Sequence, residues 1–450
     1  MFDMDEEIKV PENIGDYIRK GITLGVKKKK TSKIKLMANA AVISILTLFT
    51  VSVRTSPAFA AYMAKVPGLE YLVRFINYDK GLQSAIENNF IQKINSSVTK
   101  EGIKFTIKDV IIDNSQAIIF YSIENERNDK VIQLAKIDLI NEKGEVLIAA
   151  TSWGSSRPFE ASGDNKIEDR VDVNFPEGTV LPDKFYIEVK LREETFQDNI
   201  DYKETILASS WNYEFPIDKE KIKAMEKSYI LNQMVDIEGQ KITFKGVKIT
   251  PTRIAVEVEY HKDNSKKILG YDDIIIVNEK GENWGTIMNG YSASKIDENH
   301  EILYFQSNYF TEPKNLYIKA SSIRALDKDK LSVVVDLENN KLLKIPNEKL
   351  TLKQIERTEE EISIMFALEK DKALDDKISY FIFSGAFKDS NGNTYNQKRC
   401  ETWEEGLIAE ARTPIINFII NNDPKIKGPI YLDIFNYPER IKGDIKVNIK

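Results

Sequence analysis

The chain repeats itself at an offset of 137 residues, and that repeat limits what it can fold into. Laying the segment 95–112 over 232–249 gives nine identities in eighteen positions, where ordinary residue frequencies give about one. The same offset places the pentapeptide Asn141-Glu-Lys-Gly-Glu145 on an identical Asn278-Glu-Lys-Gly-Glu282. Its Asn and Gly are turn residues, so a β-hairpin is expected at the same place in both copies. A weaker third copy follows. Thr351-Leu-Lys-Gln-Ile355 matches Thr243-Phe-Lys-Gly-Val247, Ile362 to Leu368 alternate as Ile254 to Tyr260 do, and Asp389-Ser-Asn-Gly-Asn393 stands in for the turn. The copies close alike, on Pro182 to Ile187, Pro313 to Ile318 and Pro429 to Ile434. Units of about 105 to 135 residues with short alternating strands are too long for propeller blades or solenoid repeats. They predict three tandem immunoglobulin-like β-sandwich modules. Each copy is expected to carry its own core, so that residues 232 to 343 would fold alone.

A different signal precedes the repeats. From Arg19 to Lys35 there are eight bases and no acid, and Leu36 to Val53 follow as eighteen residues without a charge. At about 1.5 Å per residue such a run spans ~27 Å, near the hydrocarbon thickness of a bilayer. The basic cluster then sets the N-terminus as cytoplasmic and the bulk of the chain as extracytoplasmic. A cleavable signal peptide, with its small-residue site at Ser56 to Ala61, is the competing reading and also puts the body outside. Within the tail, Ile14, Tyr17, Ile18 and Ile22 form a narrow apolar stripe on a helix that nothing in the tail can cover. The stripe calls for a protein partner or the membrane surface, since the lysines favour anionic lipid.

The expected organisation is a basic tail with an amphipathic helix at 1–33, a transmembrane helix at 34–54 and an extracytoplasmic helical segment at 58–94 packed on the first module. A first sandwich at 95–217, a helical linker at 218–231, a second sandwich at 232–337 and a third at 345–450 follow, with 339–347 between the last two. The fold class is mainly β. One cysteine (Cys400) and two histidines (His261, His300) leave no disulfide and no zinc pattern. The Asp389 turn starts like a calcium loop but lacks its glutamate. No catalytic motif is present, and no enzyme activity, cofactor, metal or nucleic-acid partner is expected.

Pro11-Glu12 ahead of a helix and polylysine stretch, then Ser56-Pro-Ala-Phe-Ala60, Val66-Pro-Gly-Leu69, Asp79-Lys-Gly-Leu82 and the strand Gly102 to Val110 resemble an uncharacterised family of Gram-positive single-pass membrane proteins. The resemblance covers roughly residues 5 to 125 and rests on the order of the motifs; the second module resembles an immunoglobulin-like domain often found after it. Members are encoded beside extracytoplasmic-function sigma factors. The resemblance therefore implies an anti-sigma-like regulator, with a cytoplasmic sigma factor on the tail and an unknown envelope ligand or protein on the modules. The alternative is a structural or adhesive envelope protein whose tail only orients it in the membrane.

Overall fold

The computed structural model describes residues 79–127, 131–154, 166–197, 201–285, 291–375, 378, 380–405 and 413–450. All lie in one compact unit, Tyr62–Lys450. The tail residues Ile14, Tyr17, Ile18 and Ile22 and the uncharged run Leu36 to Val53 lie outside the described residues. Among the described residues no helix is long and apolar enough to cross a membrane. The described chain is mainly β, built of several antiparallel sheets.

After a short helix, α1 (Lys80–Glu87), the first module is formed by β1 (Gln92–Lys100), β2 (Ile103–Ile112), β3 (Gln116–Asn125), β4 (Val131–Ile140), β5 (Ala150–Trp153), β6 (Lys166–Asn174), β7 (Lys184–Gln197), β8 (Asp201–Ile206) and β9 (Trp211–Pro216). One sheet runs β1-β2-β3-β6-β5; in the other β7 carries β4 on one edge and β8 and β9 on the opposite edge. Alternation sets the inward face. Ile103, Phe105 and Ile107 of β2 are fully buried and meet Phe185, Val189 and Trp211 of the second sheet in a shared core.

A single helical turn, α2 (Lys219–Lys223), leads into β10 (Lys227–Ile237), β11 (Gln240–Ile249), β12 (Arg253–Tyr260), β13 (Lys266–Tyr271), β14 (Ile275–Asn278), β15 (Ser292–Lys295), β16 (His300–Gln306) and β17 (Leu316–Asp327). The expected linker 218–231 thus already contains the start of β10. The repeat is reproduced in backbone detail. Asn95 and Asn232 share a φ of +47°, and the β1/β2 register slips between Lys93 and Ser96 as β10/β11 slips between Ile230 and Gln233. The Oδ1 of Asn141 accepts the amides of Lys143 and Glu145, that of Asn278 those of Lys280 and Glu282, and that of Asp389 those of Asn391 and Asn393. Gly144, Gly281 and Gly392 follow at φ of 80°, 80° and 82°, a conformation glycine adopts without strain.

The last strands are β18 (Ser332–Asp336), β19 (Lys341–Lys344), β20 (Leu350–Arg357), β21 (Glu361–Leu368), β22 (Phe383–Lys388), β23 (Thr394–Asn396), β24 (Arg399–Glu405), β25 (Thr413–Asn421), β26 (Ile430–Ile434) and β27 (Arg440–Asn448), with a helical turn, α3 (Lys372–Asp375), before β22. Here the chain departs from three modules in series. In module one, β8 and β9 both follow β7 and pair along its edge away from β4. The strand next after β17 is β18, but it pairs with β26, and β27 returns to pair with β17. Modules two and three have exchanged closing strands. Ile441, Ile445, Val447 and Ile449 fill the second core, whereas Val333 and Val335 of β18 belong to the third. Residues 232 to 343 therefore lack a wall of their own core. The segment 345–450 completes module two, and the presumed linker 339–347 contains β19. Local similarity locates each hairpin, but the partner of a terminal strand is a long-range choice that periodicity does not encode.

Candidate functional site

Where modules one and two meet, the repeat touches itself. The β2–β3 turn of one and the β11–β12 turn of the other stand 137 residues apart in sequence, Asp113 over Thr250 and Ser115 over Thr252. Asp113 organises its own turn by accepting the amides of Ser115 and Gln116 on Oδ1, at 2.9 and 3.1 Å. Its Oδ2 accepts the Thr252 amide of the facing turn at 2.8 Å. The Ser115 and Thr250 hydroxyls lie 3.2 Å apart.

Arg253, the first residue of β12, crosses this junction. One terminal nitrogen donates to Asn174 Oδ1 at 2.7 Å and the other to the Ser115 carbonyl, while its guanidinium carbon lies 4.0 Å from the centre of the Tyr304 ring. The residue is only 7% exposed. Among the described residues no carboxylate comes within ion-pair distance of it, and its Nε is buried without a hydrogen-bond partner. Burial pushes its pKa below the ordinary guanidinium value, opposed by Tyr304 and the Asp113 charge. Beside it opens a cleft of about 590 Å³, walled by Phe175, Leu181, Ile302 and Tyr304 and carrying Lys219, Lys223 and Lys248. Lys248 pairs with Glu177 and Lys219 with Asp183. Lys223 stands exposed on α2.

A second set of contacts starts from the same turn. The Thr250 carbonyl accepts the Ser307 hydroxyl, and the Ser307 backbone abuts Gly81 of α1 so closely that a Cβ there would fall 2.5 Å from the Ser307 nitrogen. The Lys80 amide donates to Gln306 Oε1 at 3.1 Å, and the rings of Phe90 and Phe310 are 6.1 Å apart. Asp79 caps the helix by accepting the Leu82 amide at 3.0 Å, and Leu82, Ala85 and Ile86 are buried. The helix stays beside the first module, where Arg170 and Asp172 act on the Asp79 charge and Phe90 lines a cavity with Val110 and Ile112, and it also docks on the second. Phe310 and Ser307 lie more than 200 residues away in sequence, so the contact with the second module could not be read from proximity along the chain.

No residue of the junction was expected as a site, and the tail residues that were expected lie outside the described chain. The offset pairs Arg253 with Gln116, but the strands that follow share no identical residue and also set Glu257 and Glu259 against the neutral Phe120 and Ser122, so nothing in the sequence singles out Arg253. Of the four tryptophans, Trp211 and Trp284 are core residues, whereas Trp403 on β24 is 41% exposed. Among the described residues no group of three or more His, Cys, Asp or Glu side chains is placed to hold a metal ion.

A domain of unknown function (DUF4179) matches residues 28–125, and a family of unknown function (DUF5643) matches residues 226–345. The first match runs from the basic cluster to the end of β3; the second covers β10 to β19 and stops short of β27. A solved structure described as the conserved domain protein from Bacillus anthracis is similar at 16% identity and a TM-score of 0.38, over 56% of this chain and 84% of that chain. At that distance the likeness has no bearing on function. No curated protein matches the chain.

Proposed function

We propose that the chain is a single-pass membrane sensor whose immunoglobulin-like modules face outward and whose N-terminal tail restrains a cytoplasmic sigma factor. The observation that carries this reading is the order of features along the sequence. An apolar stripe that nothing in the tail covers (Ile14, Tyr17, Ile18, Ile22) comes first, then Lys27 to Lys30, an uncharged run of membrane length and a large, mainly β body. The DUF4179 match, which starts at residue 28 and ends in β3, is consistent with this order. The docking of α1 on module two also supports it, because the segment that would leave the membrane is tied to the joint between two modules. Replacing Ile14 and Ile18 by Asp removes apolar contacts worth roughly 1.5 to 3 kcal/mol each. The double variant is expected to release the sigma factor encoded nearby and raise transcription of its targets, with membrane localisation unchanged. Unchanged transcription from a correctly localised variant would sink the regulatory reading.

The alternative, an adhesive or structural envelope protein, draws on Trp403. With Tyr380, Ile378 and Lys370 it lines a shallow groove of about 150 Å³ on module three, an arrangement suited to stacking on a polymer. Retained sigma control in a Trp403→Ala variant that no longer binds envelope material would make the two roles separable.

A further inference from the structure

We infer that the cleft between modules one and two is a binding site for an organic anion, a carboxylate or phosphate ester carried on a short apolar chain. The inference does not depend on what the tail binds. Its first support is the state of Arg253. A permanently charged side chain at 7% exposure would ordinarily have a carboxylate beside it, because burying an unpaired ion costs several kcal/mol. Its hydrogen-bond partners and the ring it lies over are instead neutral, and the Asp113 carboxylate, which acts on it only through space, has its oxygens taken by the Ser115, Gln116 and Thr252 amides. The Arg253 Nε has no hydrogen-bond partner. The two turns are already tied by Asp113 and Thr252, so the joint does not need this charge to hold it.

The surroundings define the ligand. The cleft's volume, about 590 Å³, falls among the usual small-molecule sites of roughly 300 to 1,000 Å³. Its lining carries four bases, Lys219, Lys223, Lys248 and Arg253, against three acids, Glu177, Glu220 and Glu226. Lys248 is paired with Glu177 and Lys219 with Asp183, which leaves Arg253 and Lys223 against Glu220 and Glu226, both exposed, where water screens them. The least solvated charge in the cleft is therefore positive. An anionic head is accommodated between Arg253 and Lys223, and an apolar chain lies along Ile302 towards Val180, which is 83% exposed at the rim. Burying such a side chain on binding is favourable by the usual area argument.

Calorimetric titration of the full chain in phosphatidylcholine nanodiscs, with hexyl phosphate and heptanoate as probes, tests the site. One of the two is expected to bind saturably at one per chain, and hexanol and inorganic phosphate at least about tenfold more weakly, since each lacks one half of the recognition. Lys223→Glu and Val180→Asp alter exposed side chains that the fold tolerates, and each is expected to weaken binding about fivefold or more. Arg253→Gln should abolish it. Absence of saturable binding by both probes overturns the assignment, as does binding that Lys223→Glu and Val180→Asp leave unchanged. Where binding is seen, doping the nanodiscs with phosphatidic acid separates sources. Suppressed titration identifies a membrane lipid as the occupant, and an unaltered titration identifies a soluble anion.

Discussion

Arg440 joins two modules through one guanidinium. Its Nε donates to Asp272 Oδ2 at 2.8 Å on module two, while its terminal nitrogens reach both oxygens of Asp375 and, at 3.0 Å, the Tyr380 hydroxyl on module three. Tyr380 in turn donates to Asp375 at 2.6 Å, and Arg324 donates to Asp272 at 2.7 Å. Burial alone would raise the Asp375 carboxyl, but hydrogen bonds from Arg440 and Tyr380 outweigh it and hold it below its ordinary 3.8. The folded state then binds fewer protons there than the unfolded chain. The network's contribution is present above about pH 4 and is lost as pH falls through the depressed value. Arg440→Met leaves a fully buried carboxylate without its cation and is expected to cost about 3 kcal/mol or more at pH 7. Asp375→Asn should flatten the acid limb of the stability profile. Denaturant titrations at pH 7 and at a series of pH values below 4 measure both, and a methionine variant within about 0.5 kcal/mol of the parent at pH 7 would show that the network contributes nothing net. None of this was legible in the sequence, because Arg440 lies 168 residues from Asp272 and 65 from Asp375. The turn residues Asn141, Asn278 and Asp389 were legible, since their hydrogen bonds close within four residues.

At the scale of elements, α1 gives the sharpest expectation because two effects oppose each other. Glycine inside a helix normally costs roughly 0.5–1 kcal/mol relative to alanine, so Gly81→Ala ought to stabilise a free helix. Docked on module two, the same change drives a Cβ to 2.5 Å from the Ser307 nitrogen and 2.8 Å from its oxygen, backbone atoms that cannot swing aside. The variant is expected to loosen α1, seen as faster amide exchange at Leu82 to Ile86. Slower exchange would mean that the helix is not held against Ser307. The apolar stripe of α1 was readable from its spacing, as were the strands, whose buried positions alternate as in β21, Glu361–Leu368. What spacing left open was the surface each element covers: α1 reaches the second module as well as the first, and β18 and β27 trade places.

For the whole molecule, that trade divides the chain unequally. Module one is continuous from β1 to β9, whereas modules two and three are joined by two crossings of the backbone and by the Arg440 network. Ending the chain at Tyr437 removes Ile441, Ile445, Val447 and Ile449, at roughly 1.5 to 3 kcal/mol each. The sum is comparable to the ~5–15 kcal/mol that holds a whole domain. The truncated protein is expected to lose the melting transition of module two and to keep one for module three, and a peptide of residues 438–450 added separately should restore the first. A truncated chain that melts like the full one would remove the strand exchange as a structural fact. Chains are synthesised and exported N-terminus first, and domains usually fold in that order. Here the order is inverted. Module three has every strand it needs once β26 has emerged, while module two, begun more than a hundred residues earlier, waits with an open flank until β27 arrives.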